Sequence, residues 1–195
     1  MPEILKVLVL TVSLLTGFSY ASAVYAEFVA KAVVEIKGTM PDSPIAGTAI
    51  FNETDAGVLV NVDVKNVPNP GKHGFHIHEN GDCSDNGKAA GGHYNPMGVT
   101  HGHVPTDGLE KAHAGDMGNI TIAEDGTGKL EVLLTHVHLT EYHNNITGLA
   151  VILHEKEDDF GQPTGNAGGR IGCGIITLVD PAADMKDGSA TTNTP

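Results

Sequence analysis

Polar and apolar residues alternate most regularly from Val58 to Lys65. Val58, Val60, Val62 and Val64 point one way, and Leu59, Asn61, Asp63 and Lys65 the other. A period of two marks a half-buried strand. Glu27 to Lys37 and Ile45 to Asn52 read as strands before it. Pro41-Asp42-Ser43-Pro44, Asp55-Ala56-Gly57 and Pro68-Asn69-Pro70-Gly71 supply turns. A fourth strand carries His73-Gly74-Phe75-His76-Ile77-His78. The pattern then stops from Asn80 to Lys111, a glycine-rich, irregular stretch long for a compact domain and therefore expected to be functional. Strand patterns return over Gly118 to Ala123, Lys129 to Leu139, Thr147 to His154 and Ile171 to Val179, with a second irregular segment from Glu155 to Arg170. The expectation is an all-β, antiparallel meander or sandwich of eight strands without helices, interrupted by two long loops.

Composition agrees with one domain of this class. The chain has 195 residues, 25 glycines, few aromatics and no tryptophan, and its apolar content is mostly Val, Ile, Leu and Ala. A net charge of −13 argues against nucleic-acid binding and against docking on an anionic membrane. Residues 1–26 read as a cleaved signal peptide. Lys6 precedes an apolar run from Val7 to Phe18, and small residues place cleavage after Ala23 or Ala26. The run is shorter than the roughly 20 residues that span a bilayer, so no stable membrane association is expected. The reading is an exported protein, periplasmic if bacterial and otherwise secreted, with a domain over 27–179 and a flexible C-terminal tail over 180–195.

Cys83 and Cys173 are the only cysteines. In an oxidising compartment they favour a disulfide closing a loop of about 90 residues, worth on the order of 4–5 kcal/mol in the chain-entropy model. A pair of thiolate metal ligands is the alternative. Asn52, Asn119 and Asn145 each begin a glycosylation pattern, one that also arises often by chance.

His76, His78, His93, His101, His113 and Asp116 are concentrated in one block. Strand geometry puts His76 and His78 on one face, about 7 Å apart at Cα, while Phe75 and Ile77 share the other. The apolar pair goes inward, and the histidines face outward beneath whatever loop follows. An isolated His-x-His is usually an ordinary exposed strand pair; the whole block reads as a metal cassette.

His76-Ile77-His78, Gly91-Gly92-His93-Tyr94-Asn95-Pro96, His113-Ala114-Gly115-Asp116, His154-Glu155-Lys156 and Gly165-Asn166-Ala167-Gly168-Gly169-Arg170-Ile171-Gly172-Cys173-Gly174 together resemble the copper,zinc superoxide dismutases, from about Glu27 to Val179. The resemblance implies an eight-stranded Greek-key barrel or sandwich, immunoglobulin-like, a homodimer, and superoxide as substrate. It implies copper on His76, His78, His93 and His154, and zinc on His93, His101, His113 and Asp116, with His93 bridging. Four imidazoles suit a copper that changes oxidation state, and three imidazoles with a carboxylate close a tetrahedral zinc. Superoxide would be dismuted to dioxygen and hydrogen peroxide as copper is alternately reduced and reoxidised, with His93 carrying a proton.

By the same resemblance Asp158 links one ligand of each metal, expected to be His78 and His101. Arg170 attracts the anion, Thr164 stands across the mouth, and the Cys83–Cys173 bond steadies Arg170. The segment from His154 to Arg170 is shorter than in animal cytosolic relatives and keeps only Lys156 as a cation near the site. His73 is expected to be structural, and His136, His138 and His143 to be surface histidines. His103 competes with His101 as a zinc ligand, and spacing from His93 favours His101. A copper chaperone would be expected to carry a transfer module or a Cys-x-Cys, which this chain lacks. A non-catalytic storage or adhesion sandwich would not need Arg170.

Overall fold

The computed structural model describes residues 30–180 and the backbone of a short antiparallel pair, β1 (Val7–Val9) with β2 (Val24–Ala26). Apart from that pair the expected signal peptide lies outside the described residues, as does the expected tail beyond Asp180. Among the described residues no helix is long and apolar enough to cross a membrane.

The remaining strands are β3 (Lys31–Gly38), β4 (Ala46–Thr54), β5 (Gly57–Lys65), β6 (Gly71–His78), β7 (Asp116–Ile122), β8 (Gly128–Leu134), β9 (Ala150–His154), β10 (Arg170–Ile175) and β11 (Thr177–Leu178). They lie in the order β10-β9-β6-β7-β8-β5-β4-β3-β11, all antiparallel. Gly172↔Gly38 and Cys173↔Lys37 join β10 to β3 and close the sheet into a barrel. Closure leaves no long unpaired edge. The chain passes from β5 to β6 across β7 and β8, a Greek-key crossover that puts β6 between β7 and β9.

The alternation of β5 is realised in full: Val58, Val60, Val62 and Val64 are buried, and Asp63 and Lys65 are exposed. Their partners in the core include Val34, Ile36, Phe51, Phe75, Ile77, Ile120, Leu134 and Leu153. Each such side chain contributes roughly 1.5–3 kcal/mol on burial, so the barrel is a rigid base for groups on its outside.

Several boundaries differ from the sequence expectation. A 3-10 turn, η1 (Lys88–Ala90), and a one-turn helix, α1 (Val104–Asp107), occur in the first long loop, where no helix was expected. Pro105 presets the first turn of α1 and Gly108 ends it. Strand β8 stops at Leu134 instead of Leu139, and β9 begins at Ala150 instead of Thr147. The intervening loop is strapped by Glu53, whose carboxylate meets His138 Nδ1 at 3.2 Å and accepts from the Leu139 amide at 3.3 Å. His138 is therefore half-buried in a structural contact, while His136 and His143 are exposed. The last strand breaks at buried Ile176, and Thr177–Leu178 pairs with β3.

Cys83 and Cys173 form a disulfide with Cα atoms 5.8 Å apart and a sequence separation of 90, so the thiolate-ligand alternative falls away. The bond fastens the first long loop to β10. Replacing both cysteines by serine is expected to cost the metal-free protein about 2–5 kcal/mol, read as a lower urea midpoint with a steeper slope, because the uncrosslinked unfolded chain exposes more surface.

Candidate metal centre

Strand β6 supplies the first two histidines. Phe75 and Ile77 enter the core, and His76 and His78 face the other side of the wall. They are nevertheless only 0% and 1% exposed, because the loops fold over them. The covering segment pairs with the end of β6 like an added strand. Glu79 N donates to Gly92 O at 3.0 Å and Tyr94 N to Ile77 O at 2.8 Å, which sets His93 opposite His78. The Ile77 amide donates to Gly115 O at 2.9 Å. A Cβ at Gly115 would strike the Ile77 carbonyl, so only glycine allows this approach and brings His113 and Asp116 alongside. His154 ends β9, directly across from Arg170 at the start of β10. Buried His73 meets the His154 carbonyl at 2.8 Å and the Asn69 carbonyl at 2.7 Å, fixing the backbone under His154.

Two sets of donors converge. His76, His78, His93 and His154 offer ligand atoms within 4.8 Å of one another, and so do His93, His101, His113 and Asp116. All are buried, and His93 belongs to both. The rings of His76 and His93 lie 4.2 Å apart between centroids. His93 Nδ1 lies 2.7 Å from Asp116 Oδ1, turning its other nitrogen toward the first set. His113 Nδ1 lies 3.1 Å from the same oxygen. The second carboxylate oxygen of Asp116 accepts from the Gly102 and His113 amides at 2.9 Å each.

The donor atoms fit metal ions. Nδ1 of His76 is buried without a hydrogen-bond partner, a costly state for a polar atom unless an ion takes its lone pair. Nδ1 of His78 contacts the Gly91 carbonyl at 3.0 Å and must be the donor there, so its Nε2 carries the lone pair. That Nε2 faces His154 Nε2 at 3.3 Å. Nδ1 of His101 sits 2.9 Å from Asp116 Oδ2 without the alignment of a hydrogen bond. A cation at each focus would satisfy all of these atoms. The first set is purely imidazole, and the second adds one carboxylate to three imidazoles, as closed zinc sites do.

Asp158 joins the sets. Its two carboxylate oxygens lie 2.9 Å from Nε2 of His76 and 2.9 Å from Nε2 of His101. The sequence expectation named His78 in place of His76. The structure corrects this, because the Nδ1 of His78 is engaged by the Gly91 carbonyl and its Nε2 points at His154. A Cβ at Gly165 would strike Asp158 Oδ1 and approach His101 Nε2, so a glycine is required there. Burial pushes His76 down to about 4, against the opposing pull of Asp158. Burial and neighbouring imidazoles push His78 to about 2, and burial does the same to His154. These rings are neutral near pH 7, with lone pairs free for a metal. Burial opposes protonation of His101 as well, but the Asp116 and Asp158 carboxylates outweigh it and raise that group to about 9. Both carboxylates are held well below the usual range, since their histidine partners outweigh burial.

A cleft of about 340 Å³ opens over the first set, lined by buried His78, His93 and His154 and by the more exposed Thr164 and Arg170. Arg170 donates from Nη1 to Gly87 O at 2.6 Å and from Nη2 to Gly91 O at 2.5 Å. Gly87 N in turn donates to Cys83 O at 3.2 Å, so the disulfide lies within the same support.

The structure thus brings together His76, His78, His93, His154, His101, His113, Asp116 and Asp158, with Arg170 and Thr164 at the opening. His103 stays outside both sets, with Nδ1 3.1 Å from Thr106 Oγ1. Sequence reasoning missed Asn119, whose amide donates to Asp158 O at 2.9 Å and whose carbonyl accepts from Asp158 N at 2.8 Å. It also missed Gln162, which grips the His101 backbone through 3.1 and 2.8 Å bonds. The glycosylation pattern at Asn119 was a distracting signal, and nothing in the sequence marks Gln162.

The titration shifts set opposite limits on the metal-free protein. Below the ordinary histidine value of 6.5, the unfolded chain protonates before His76, His78 and His154 do, so stability is lost as pH falls toward about 4 and then about 2. His101 contributes fully below 6.5 and loses its contribution as pH rises through about 9. The urea midpoint of the metal-free protein is therefore expected to peak near 6.5; a midpoint still climbing at pH 9 would contradict the assignment of His101.

A family model described as copper/zinc superoxide dismutase matches residues 45–176. The matched span holds both donor sets, Asp158 and Arg170. It covers more than half of the 195 residues, so the chain belongs to the copper/zinc superoxide dismutase family and is an enzyme that dismutes superoxide with copper and zinc as its cofactors.

Proposed function

We propose that His76, His78, His93 and His154 hold copper, that His93, His101, His113 and Asp116 hold zinc, and that His93 is shared. The observation that carries this reading is the membership of His93 in both donor sets. Bound copper would supply a one-electron couple that takes an electron from one superoxide and returns it to the next, giving dioxygen and hydrogen peroxide. Zinc would keep a fixed charge beside the shared ring.

The chain's own residues do the rest. Asp116 lies 2.7 Å from His93 Nδ1, on the side of the second donor set, which leaves Nε2 turned toward the first set and the cleft. There it could hold a proton and pass it to reduced substrate whenever it is not engaged as a donor. Asp158 orients His76 and His101 through their Nε2 atoms, so that Nδ1 of each faces inward. The guanidinium of Arg170 lies in the cleft wall, held by the carbonyls of Gly87, Lys88 and Gly91 and with no carboxylate partner among the described residues. It attracts the anion against an overall charge of −13. Thr164 limits the opening on another side.

The disulfide suits an oxidising compartment, which supports the reading of residues 1–26 as an export signal, 27–179 as the enzymatic domain and 180–195 as a tail. The proposed setting is the periplasm or the secreted space, where the enzyme, as a homodimer, removes superoxide.

Two measurements test the mechanism. Loaded with copper and zinc, the protein is expected to lose at least about 100-fold in superoxide consumption on His93→Ala, the scale of a lost proton donor. Unchanged turnover would overturn the shared-ring reading. Arg170→Ala is expected to lower the bimolecular rate about tenfold or more and to flatten its decline with added salt; a rate that keeps the wild-type salt dependence would remove Arg170 from the role of anion guide.

A further inference from the structure

Arg170 begins β10 at a register shift. It lies opposite His154, but the next paired residue is Gly172, opposite Leu153, so Ile171 bulges out of the ladder. A bulge leaves local backbone groups without ladder partners. Both carbonyls around it are taken by one residue of the β3–β4 turn. Thr39 Oγ1 donates to the Arg170 carbonyl at 2.7 Å, and Thr39 N donates to the Ile171 carbonyl at 3.1 Å.

The methyl group of Thr39 is placed as well. A Cβ built on Gly87 would lie 3.2 Å from Thr39 Cγ2 and 3.3 Å from Arg170 Cβ, so these three residues pack together. Gly87, at φ 78, is the residue whose carbonyl holds Arg170 Nη1. One side chain thus touches the backbone that carries the arginine and the loop residue that receives its guanidinium. The turn does not need the Thr39 side chain for its own closure, which uses Gly38 N to Ile45 O and Ser43 N to Met40 O.

We propose that Thr39 is a positioning residue for Arg170: its hydroxyl fixes the bulged backbone, and through Gly87 it sets where the guanidinium lies in the cleft wall. The inference rests on the reading of Arg170 as the anion guide. Thr39 touches neither ligand set, so its effect should fall on anion capture and leave the metals in place.

The test uses the copper- and zinc-loaded full chain as wild type, Thr39→Val, Thr39→Ser and Arg170→Ala. Metal content, the bimolecular rate at several ionic strengths, and the nitrogen NMR line of the Arg170 guanidinium in a zinc-only sample are followed. Thr39→Val is expected to keep its metals, lose about two- to tenfold in rate, the span of one neutral hydrogen bond, and broaden or shift the Arg170 line. Thr39→Ser, which keeps the hydroxyl, should restore most of the rate and the line. A Thr39→Val protein matching wild type in rate and line would overturn the proposal. So would Thr39→Ser as impaired as Thr39→Val, or a lower rate accompanied by metal loss. If Arg170→Ala leaves the rate and its salt dependence intact, the anion-guide reading fails by itself, while the NMR line still decides whether Thr39 orders the arginine.

Discussion

The carboxylate of Asp158 lies 2.9 Å from a ring nitrogen of His76 on a barrel strand and 2.9 Å from one of His101 in a loop. It ties His101, which stands on a segment with no strand of its own, to the barrel strand that carries His76. The pair is buried, and its favourable balance depends on both Asp158 oxygens being engaged, because Nδ1 of His76 and of His101 is left for a metal. Asn119 holds the Asp158 backbone on both sides, Phe160 N donates to Oδ1 at 2.8 Å, and Gly165 makes room for it. Breaking one member of such a buried charged group typically costs about 3–5 kcal/mol, since the others are left uncompensated.

The long loops have little core of their own and are held at points. The first is anchored by the Cys83–Cys173 bond, by the added pairing of Gly92–Tyr94 on β6, and by the guanidinium of Arg170 on three of its carbonyls. The second is anchored by Asp158 and by the bonds of Gln162 to the His101 backbone. The rigid barrel beneath makes such point attachment sufficient, because each tether has a fixed origin. The cleft left between the loops exposes little of the metal-binding set: His76 is sealed, while His78, His93 and His154 line the opening. A small anion can approach there.

The all-β architecture was legible because alternation such as Val58 to Lys65 survives unchanged into the barrel, where one face meets the core and the other meets water. The convergence of the donor residues was legible too, since histidines at strand and loop positions that match a known family constrain one another far more than any single pair does. The strand ends were less so. Leu139 and Thr147 look like strand residues by composition, but the Glu53 strap holds Leu139 in a loop, and Thr147 bonds to the Leu139 carbonyl and to Asn145.

The sequence by itself determined the strands and the two loops, because these depend on residue type and short spacing. The barrel and the donor sets followed from the resemblance of its widely spaced motifs to a known family, and the cysteine pair from there being only two cysteines. Only the tertiary structure decided that Asp158 reaches His76 and not His78, because that depends on which ring nitrogen of each histidine is already occupied by a carbonyl. It alone also brought Asn119 to Asp158 and Thr39 to Arg170. Those contacts join positions far apart in the chain, and no local pattern of polarity or turn chemistry encodes which distant backbone a small polar side chain will meet.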